Sequence, residues 1–371
     1  MLKSSHTAWS GTSPQDLVRR FPLLLFIVLA IALYVQGSAA PQAGHEPGVS
    51  EQARMHYQRG MQFYDAGDLR DAFMEYSEAL RLAPGFAEAQ SKLAFTLYKA
   101  GLPDRALGEA MKALQMKPDN PEAHKTIGCA LMDQGKLDQA LSHLEDALRL
   151  KPNYPEAHYD IGLVLDKKGD RSGAIAAFKR ALALRPDYQP AHLLLAQEYY
   201  DTGRYTAAVA EARVALQLDP QDFYSAMKLA LGLEHTGDYE GSAQYFRQAS
   251  EMAPDEFRTF WGLCRALNHL RCYDGAIQAG QEAVRLYPRG APIRVELAKA
   301  LLHEGQTDQA IGQLKEAIRL LPTSAAAHYG MSEALKAKGD AEGAKKELRR
   351  AHDLDPDSKG PEAQYETSGK E

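Results

Sequence analysis

The chain has 371 residues, of which 45% are hydrophobic and 25% charged, and 43 basic side chains stand against 49 acidic ones for a formal charge of −6. That balance excludes disorder throughout and argues against a general nucleic-acid binder. The three cysteines, Cys129, Cys264 and Cys272, form no CxxC or CxxCH spacing, so neither a disulfide framework nor a structural zinc nor attached haem is expected.

In chain order, the first predicted element is an export segment over residues 1–40. Lys3, Arg19 and Arg20 precede the apolar stretch Leu23 to Val35, and Gly37, Ser38, Ala39 and Ala40 follow it. A basic head, a short apolar run and small residues make a secretory signal pattern, with a cut after Ala39. Counted from Phe21 through Ala40, the uncharged residues number 20, which also suits an uncleaved signal anchor spanning a bilayer. Both readings stay open. Each keeps the positive charges inside and places the rest of the chain outside the cytoplasm, periplasmic, secreted or anchored by one N-terminal helix. Phe21 and Pro22 fit twin-arginine export poorly, and no lipid-carrying cysteine follows the apolar run. Residues 41–52, polar and rich in proline and glycine, read as a linker.

The next element is a repeat. Proline recurs every 34 residues at Pro84, Pro118, Pro152, Pro186, Pro220, Pro254, Pro288, Pro322 and Pro356. Nine contiguous units without insertion therefore fill residues 53–358: 53–86, 87–120, 121–154, 155–188, 189–222, 223–256, 257–290, 291–324 and 325–358. An alanine ladder from Ala79 to Ala351 has no gap, and a glycine ladder from Gly67 to Gly339 is broken only by Arg271. Each unit reads as two amphipathic helices. In the fourth, Ala157, Ile161, Val164 and Leu165 lie at helical spacing, Pro155 suits a first turn, and Gly169 supplies the left-handed residue that ends the helix. Ala174, Phe178 and Ala181 share a face of the second helix, which stops before Pro186. One such pair cannot bury its face alone, whereas stacked neighbours build a continuous core.

Gly60, Phe63, Ala72, Tyr76, Ala79 and Pro84, with their counterparts in each unit, resemble the tetratricopeptide repeat family over 306 of the 371 residues. The resemblance implies an all-α fold, a right-handed superhelical solenoid of helix-turn-helix repeats whose concave face is lined mainly by the first helix of each unit. Unit nine is read as the solvent cap: Lys345 and His352 stand where earlier units carry apolar residues such as Ile175 and Leu182. The tail, residues 359–371, has no apolar periodicity and is expected to be disordered.

Five histidines, His56, His124, His158, His192 and His328, share one phase of the repeat. Adjacent packed helices lie about 8–10 Å apart, so successive histidines could barely converge on one zinc ion with its short ligand bonds. That phase resembles the family's large-residue packing slot, so packing is the preferred reading and no metal site is expected in the chain. No phosphate loop, HExxH, GxSxG or CxxC is present, and neither catalytic residues nor a cofactor are expected.

By resemblance, the groove-facing phases are the second, fifth, ninth, twelfth and thirteenth of each unit. They give an aromatic entrance at Tyr57, Met61, Tyr64, Phe95 and Tyr98, and an acidic middle that includes Glu122, Asp133, Glu156, Asp166, Asp201 and Glu234 against Lys125 and Lys167. Units seven and eight give Arg258, Trp261, Arg265, Asn268, His269, Lys299 and His303 with no acid, a basic end suited to an acidic peptide segment. Gly275 and Gly280, inside the second helix of unit seven, mark either a hinge or a repacked joint. The family's chaperone-tail clamp fails here because Cys129 occupies its asparagine slot after Lys125. The asparagine ladder of its glycosyltransferases is absent from the sixth phase. The expected function is a non-catalytic protein-interaction scaffold that binds a peptide or partner surface in the groove, with no nucleic acid and with membrane contact only through an uncleaved N-terminal segment. The alternatives are a structural part of an envelope or pilus assembly and a non-catalytic subunit of a transferase complex.

Overall fold

The structure is a computed structural model and describes residues 49–356. The export segment, most of the linker and the tail lie outside the described residues. The linker ends earlier than the sequence suggested: Ser50 caps the first helix, its hydroxyl accepting from the Ala53 amide at 3.2 Å, so Glu51 and Gln52 are already helical.

The described residues form eighteen helices and no strand. In successive pairs, one pair to a unit, they are α1 (Glu51–Asp65) and α2 (Leu69–Leu82), α3 (Ala87–Lys99) and α4 (Pro103–Met116), α5 (Pro121–Asp133) and α6 (Leu137–Leu150). Then come α7 (Pro155–Lys167) and α8 (Arg171–Leu184), α9 (Gln189–Asp201) and α10 (Tyr205–Leu218), α11 (Phe223–His235) and α12 (Tyr239–Met252). The last three pairs are α13 (Phe257–His269) and α14 (Tyr273–Leu286), α15 (Ala291–His303) and α16 (Thr307–Leu320), α17 (Ala325–Lys338) and α18 (Ala341–Leu354). Among these helices none is long and apolar enough to cross a membrane.

Every second helix packs on the first helix of its own unit and, from unit one to unit eight, on that of the next. First helices also touch one another, from unit two to unit four and from unit five to unit nine. They are therefore the inner row of an all-α solenoid. The helices of each pair are joined by one repeated turn. Gly67 has φ 82° and donates to Tyr64 O at 3.0 Å, while Asp68 donates to Phe63 O at 2.9 Å. Arg271 holds the same turn in unit seven at φ 57°, with amide bonds of 3.1 Å from Arg271 to Asn268 O and 2.9 Å from Cys272 to Leu267 O. The hydrogen-bond ladder dictates the left-handed conformation there, whatever side chain occupies the slot.

Size matching holds the pairs together. Tyr76, Leu144 and Phe178, on second helices, press onto glycines of their own unit's first helix. A Cβ at Gly60, Gly128 or Gly162 would come within 2.6, 2.6 and 2.4 Å of them respectively. Phe246 and Leu314 meet glycines of the following unit instead, and a Cβ at Gly262 or Gly330 would approach to 2.3 and 2.9 Å. Gly280 follows the same rule in reverse: a Cβ there would meet Leu297 Cβ at 3.1 Å and Cys264 Sγ at 3.2 Å, because those two side chains already fill the space. Helix α14 runs unbroken through Gly275 and Gly280, so of the two readings left open the structure supports the repacked joint. At the far end, Lys345 is exposed where Ile175, Ile277 and Ile311 are buried, and His352 is exposed where Leu148 and Leu182 are half-buried.

Candidate ligand groove

The inner row carries a cluster of aromatic residues in units one and two. Tyr64 on α1 lies 5.8 Å, centroid to centroid, from Phe95 on α3, and Phe95 is stacked with Tyr98 at 6.3 Å. Lys125 on α5 sets its ammonium 3.8 Å above the Phe95 ring, a cation–π contact at van der Waals distance. The strip is half-buried, and burial pushes the Tyr64 hydroxyl pKa up to about 12. Tyr57 does not join it. Its ring packs 5.0 Å from Phe86 and 5.9 Å from Tyr76, at the joint of units one and two. Its fifth position faces the next unit's entry turn, so it serves packing as much as the groove.

The strip continues into a buried polar cluster. Lys125, itself buried, lies 3.8 Å from Asp160 on α7, and Cys129 donates its thiol to the same carboxylate at 3.2 Å. Burial drives the Asp160 pKa up, with Lys125 opposing it, and drives the Cys129 thiol pKa up as well. A thiol held protonated in this way is a hydrogen-bond donor, not a nucleophile. Cys264 is buried and its thiol raised for the same reason.

The expectation of an acid-free basic end needs correcting. Arg265 donates to Glu234 of α11 at 2.6 Å and lies 4.9 Å above the Trp261 ring. Arg258 is paired with Glu256 at 2.8 Å. Asn268 is buried in the joint of units seven and eight, where its amide donates to Glu296 O at 3.0 Å. The physical reason is the stacking itself: Glu234 and Glu296 belong to neighbouring units and reach across the joints, which the phases of a single unit do not show.

His269 and His303 are likewise set by a contact between units. Tyr205, Tyr239 and Tyr273, each at the start of a second helix, stack flat on His235, His269 and His303 of the next unit's first helix. The centroid separations are 4.3, 4.0 and 4.5 Å with interplanar angles of 8°, 4° and 9°. The three tyrosines and the three histidines each recur every 34 residues, a period visible in the sequence once the two series are laid side by side. Burial, then the charges of Lys299 and Arg265, depress the His269 pKa to about 4. Lys299 is half-buried beside it.

The histidine phase has a clear task. His56, His192 and His328 each bond a glutamate 19 residues on, Glu75, Glu211 and Glu347, at 2.6 Å. Gln90 does the same with Glu109 at 2.5 Å, and Arg294 with Gln313 at 2.5 Å. In units five, eight and nine the outer nitrogen also donates to the carbonyl of the preceding ladder proline, at Pro186, Pro288 and Pro322. The phase is thus a polar clamp between a unit's two helices and the turn before them. In unit three both partners are histidines, His124 and His143, their Nδ1 atoms 3.1 Å apart with Asp146 alongside.

Two family models, both described as tetratricopeptide repeat, match the chain: one over residues 125–188, 159–223 and 227–291, the other over 63–128 and 301–365. None of the curated proteins matches it. Among solved structures, the APC/C hetero-tetramer Cut9–Hcn1 has a TM-score of 0.51 at 17% identity, covering 78% of this chain and 57% of that one. At that identity the likeness speaks to the fold, and the chain spans little more than half of that structure's length. The thermophilic repeat protein TTC0263 of Thermus thermophilus is 30% identical over 49% of this chain and 99% of that one, with a TM-score of 0.44. PilF of Pseudomonas aeruginosa is 23% identical over 55% and 93%, with a TM-score of 0.49. With 34-residue helix pairs stacked across the described residues and the repeat models matching most of them, the chain belongs to the tetratricopeptide repeat family.

Proposed function

We propose that this chain, a protein-interaction scaffold as tetratricopeptide repeat chains typically are, is non-catalytic and binds an extended segment of a partner protein along its inner row, anchored by an apolar side chain on the Tyr64, Phe95 and Tyr98 strip. The supporting observation is that strip: three half-buried rings, with Phe95 touching both tyrosines and braced by Lys125. Rings held this way offer apolar contact area at little entropic cost, the usual make-up of an interface hot spot. A preference for acidic segments has weaker support, because Arg258 and Arg265 are already paired with carboxylates. Export, by cleaved signal or anchor, rests on residues 1–40 alone. A place in an envelope or pilus assembly, or in a transferase complex, differs only in the partner.

The test is affinity capture of the full chain from membrane and soluble fractions, followed by binding measurements with the captured partner. Phe95→Ala is expected to weaken binding by about 2 kcal/mol, roughly thirtyfold, with helicity retained. Unchanged affinity in Phe95→Ala and in Tyr64→Ala would remove the strip as the anchor. The N-terminal residue of the captured chain decides between cleavage after Ala39 and an uncleaved anchor.

A further inference from the structure

The polar clamp of unit three departs from its siblings in one position. In units one, two, five, eight and nine the residue 19 after the clamp donor is a carboxylate or amide, Glu75, Glu109, Glu211, Gln313 and Glu347, while in unit four His158 has Ala177 there and no such partner on the second helix. In unit three it is His143 on α6, and Asp146 stands one turn further along the same helix. His124, His143 and Asp146 are half-buried, and one donor atom from each lies within 4.8 Å of the other two. Among the described residues they are the one such grouping of histidine, cysteine and carboxylate side chains.

The hydrogen bonds around the three fix their orientation. Pro118 O can only accept, so its 3.3 Å contact with His124 Nε2 puts the His124 proton on Nε2 and leaves Nδ1 as a lone pair. That lone pair faces His143 Nδ1 at 3.1 Å and Asp146 Oδ2 at 3.9 Å. Arg149 holds the other oxygen, donating to Asp146 Oδ1 at 2.8 Å. A backbone carbonyl behind a histidine and a donor behind a carboxylate are the outer contacts that metal ligands ordinarily have. Tetrahedral coordination at about 2.0–2.1 Å spaces donor atoms about 3.4 Å apart, close to the spacing found here.

We infer that His124, His143 and Asp146 form a binding site for a divalent ion of the zinc class. The two imidazoles and one carboxylate suit zinc, cobalt or nickel rather than magnesium or calcium, which take oxygen ligands. The half-exposed position leaves room for water to complete the shell. In the metal-free chain the His143 Nδ1 proton fills the gap between the rings. Binding moves that proton to His143 Nε2 and puts the ion in its place, so both Nδ1 lone pairs and the Asp146 carboxylate turn to the metal. The ladder argument from sequence does not bear on this site. Successive ladder histidines are a unit apart, whereas residues 124 and 143 face each other across the two helices of one unit. The ion would pin α5 to α6 where the sibling units use a hydrogen bond.

The experiment uses the full chain stripped with chelator and titrated with Zn2+ by calorimetry and with Co2+ by visible absorption. The wild type is compared with His143→Gln and with His192→Gln, a clamp residue of unit five outside the site. Gln313 occupies the His143 phase in unit eight, so the first variant keeps a residue that this array accommodates there. Wild type and His192→Gln are expected to bind one ion with a ligand-field Co2+ spectrum, and His143→Gln to lose at least about tenfold in affinity along with that spectrum. Absence of Zn2+ binding, equal affinity in wild type and His143→Gln, or an equal loss in His192→Gln would each overturn the site.

Discussion

The Phe246 ring of α12 occupies the place where a side chain at Gly262 of α13 would begin: a Cβ built there falls 2.3 Å from Phe246 Cε1. This contact joins units six and seven rather than the helices of one unit. Gly262→Ala is therefore expected to destabilise that joint by about 1–3 kcal/mol through overpacking. Phe246→Ala empties the core and costs about 3–5 kcal/mol by itself. In the Phe246→Ala background the Gly262→Ala change is expected to cost far less, since the clashing ring is gone. Urea unfolding of the four proteins of this double-mutant cycle measures the coupling, and simple additivity would show that the ring moves aside without strain.

The turn of unit seven supplies a second prediction. Arg271 sits at φ 57° with an exposed side chain, while the same slot carries glycine at Gly237 and Gly305 with φ 82° and 73°. The left-handed region costs a residue with a Cβ about 1–2 kcal/mol, part of which glycine gives back as extra freedom in the unfolded chain. Arg271→Gly is expected to stabilise by about 0.5–1 kcal/mol, read as a higher unfolding midpoint, and Arg271→Val to destabilise. A lower midpoint for the glycine variant would mean that the Arg271 side chain carries a contact worth more than the strain.

The 34-residue period makes the array and its helix pairs legible from composition and spacing, because every turn and joint reuses the same slots. What is not legible is which neighbour each slot meets. Phe246 and Phe178 share a phase, and that slot touches both its own unit and the next: Phe178 presses on Gly162, the eighth residue of its own unit, and Phe246 on Gly262, the sixth residue of the next. Likewise Arg265 reads as a free base in its own unit, and only the stacked array brings Glu234 within 2.6 Å. The clamp histidines are readable as a ladder, but their partners lie 19 residues away on another helix, a spacing that one-helix periodicity does not examine. His143 is missed for that reason.

The Arg265–Glu234 pair changes what a charge reversal there would report. Both side chains are largely enclosed, and burial already pushes the Glu234 pKa up despite the guanidinium beside it. Arg265→Glu would set two carboxylates against each other, so it is expected to lower stability as well as any affinity for a partner. Arg265→Gln is expected to cost about 1–3 kcal/mol, since it leaves a buried carboxylate without its charge partner. Adding Glu234→Gln should recover much of that loss. Denaturation of the single and double variants checks this, and a neutral Arg265→Gln would show that the pair is not structural.

The last prediction concerns acid. His269 lies under the Tyr239 ring at 4.0 Å, and burial together with Lys299 and Arg265 lowers its pKa from an ordinary 6.5 to about 4. Between those values the unfolded chain binds a proton that the folded chain refuses, so stability rises with pH across the window and falls on acidification. His143, His158 and His235 are lowered in the same direction, chiefly by burial. His192 runs the other way: Glu211 and Pro186 O raise its pKa against the effect of burial. Its contribution is complete below the ordinary value and disappears as pH rises through the raised one. The array is therefore expected to lose stability as pH drops from about 6.5 toward 4, and His269→Gln to remove part of that slope while leaving the stability near neutrality little changed. Urea midpoints at several pH values for wild type and variant measure it. Parallel curves would mean that His269 titrates alike in the folded and unfolded chains and that the Tyr239 stack does not exclude the charged ring.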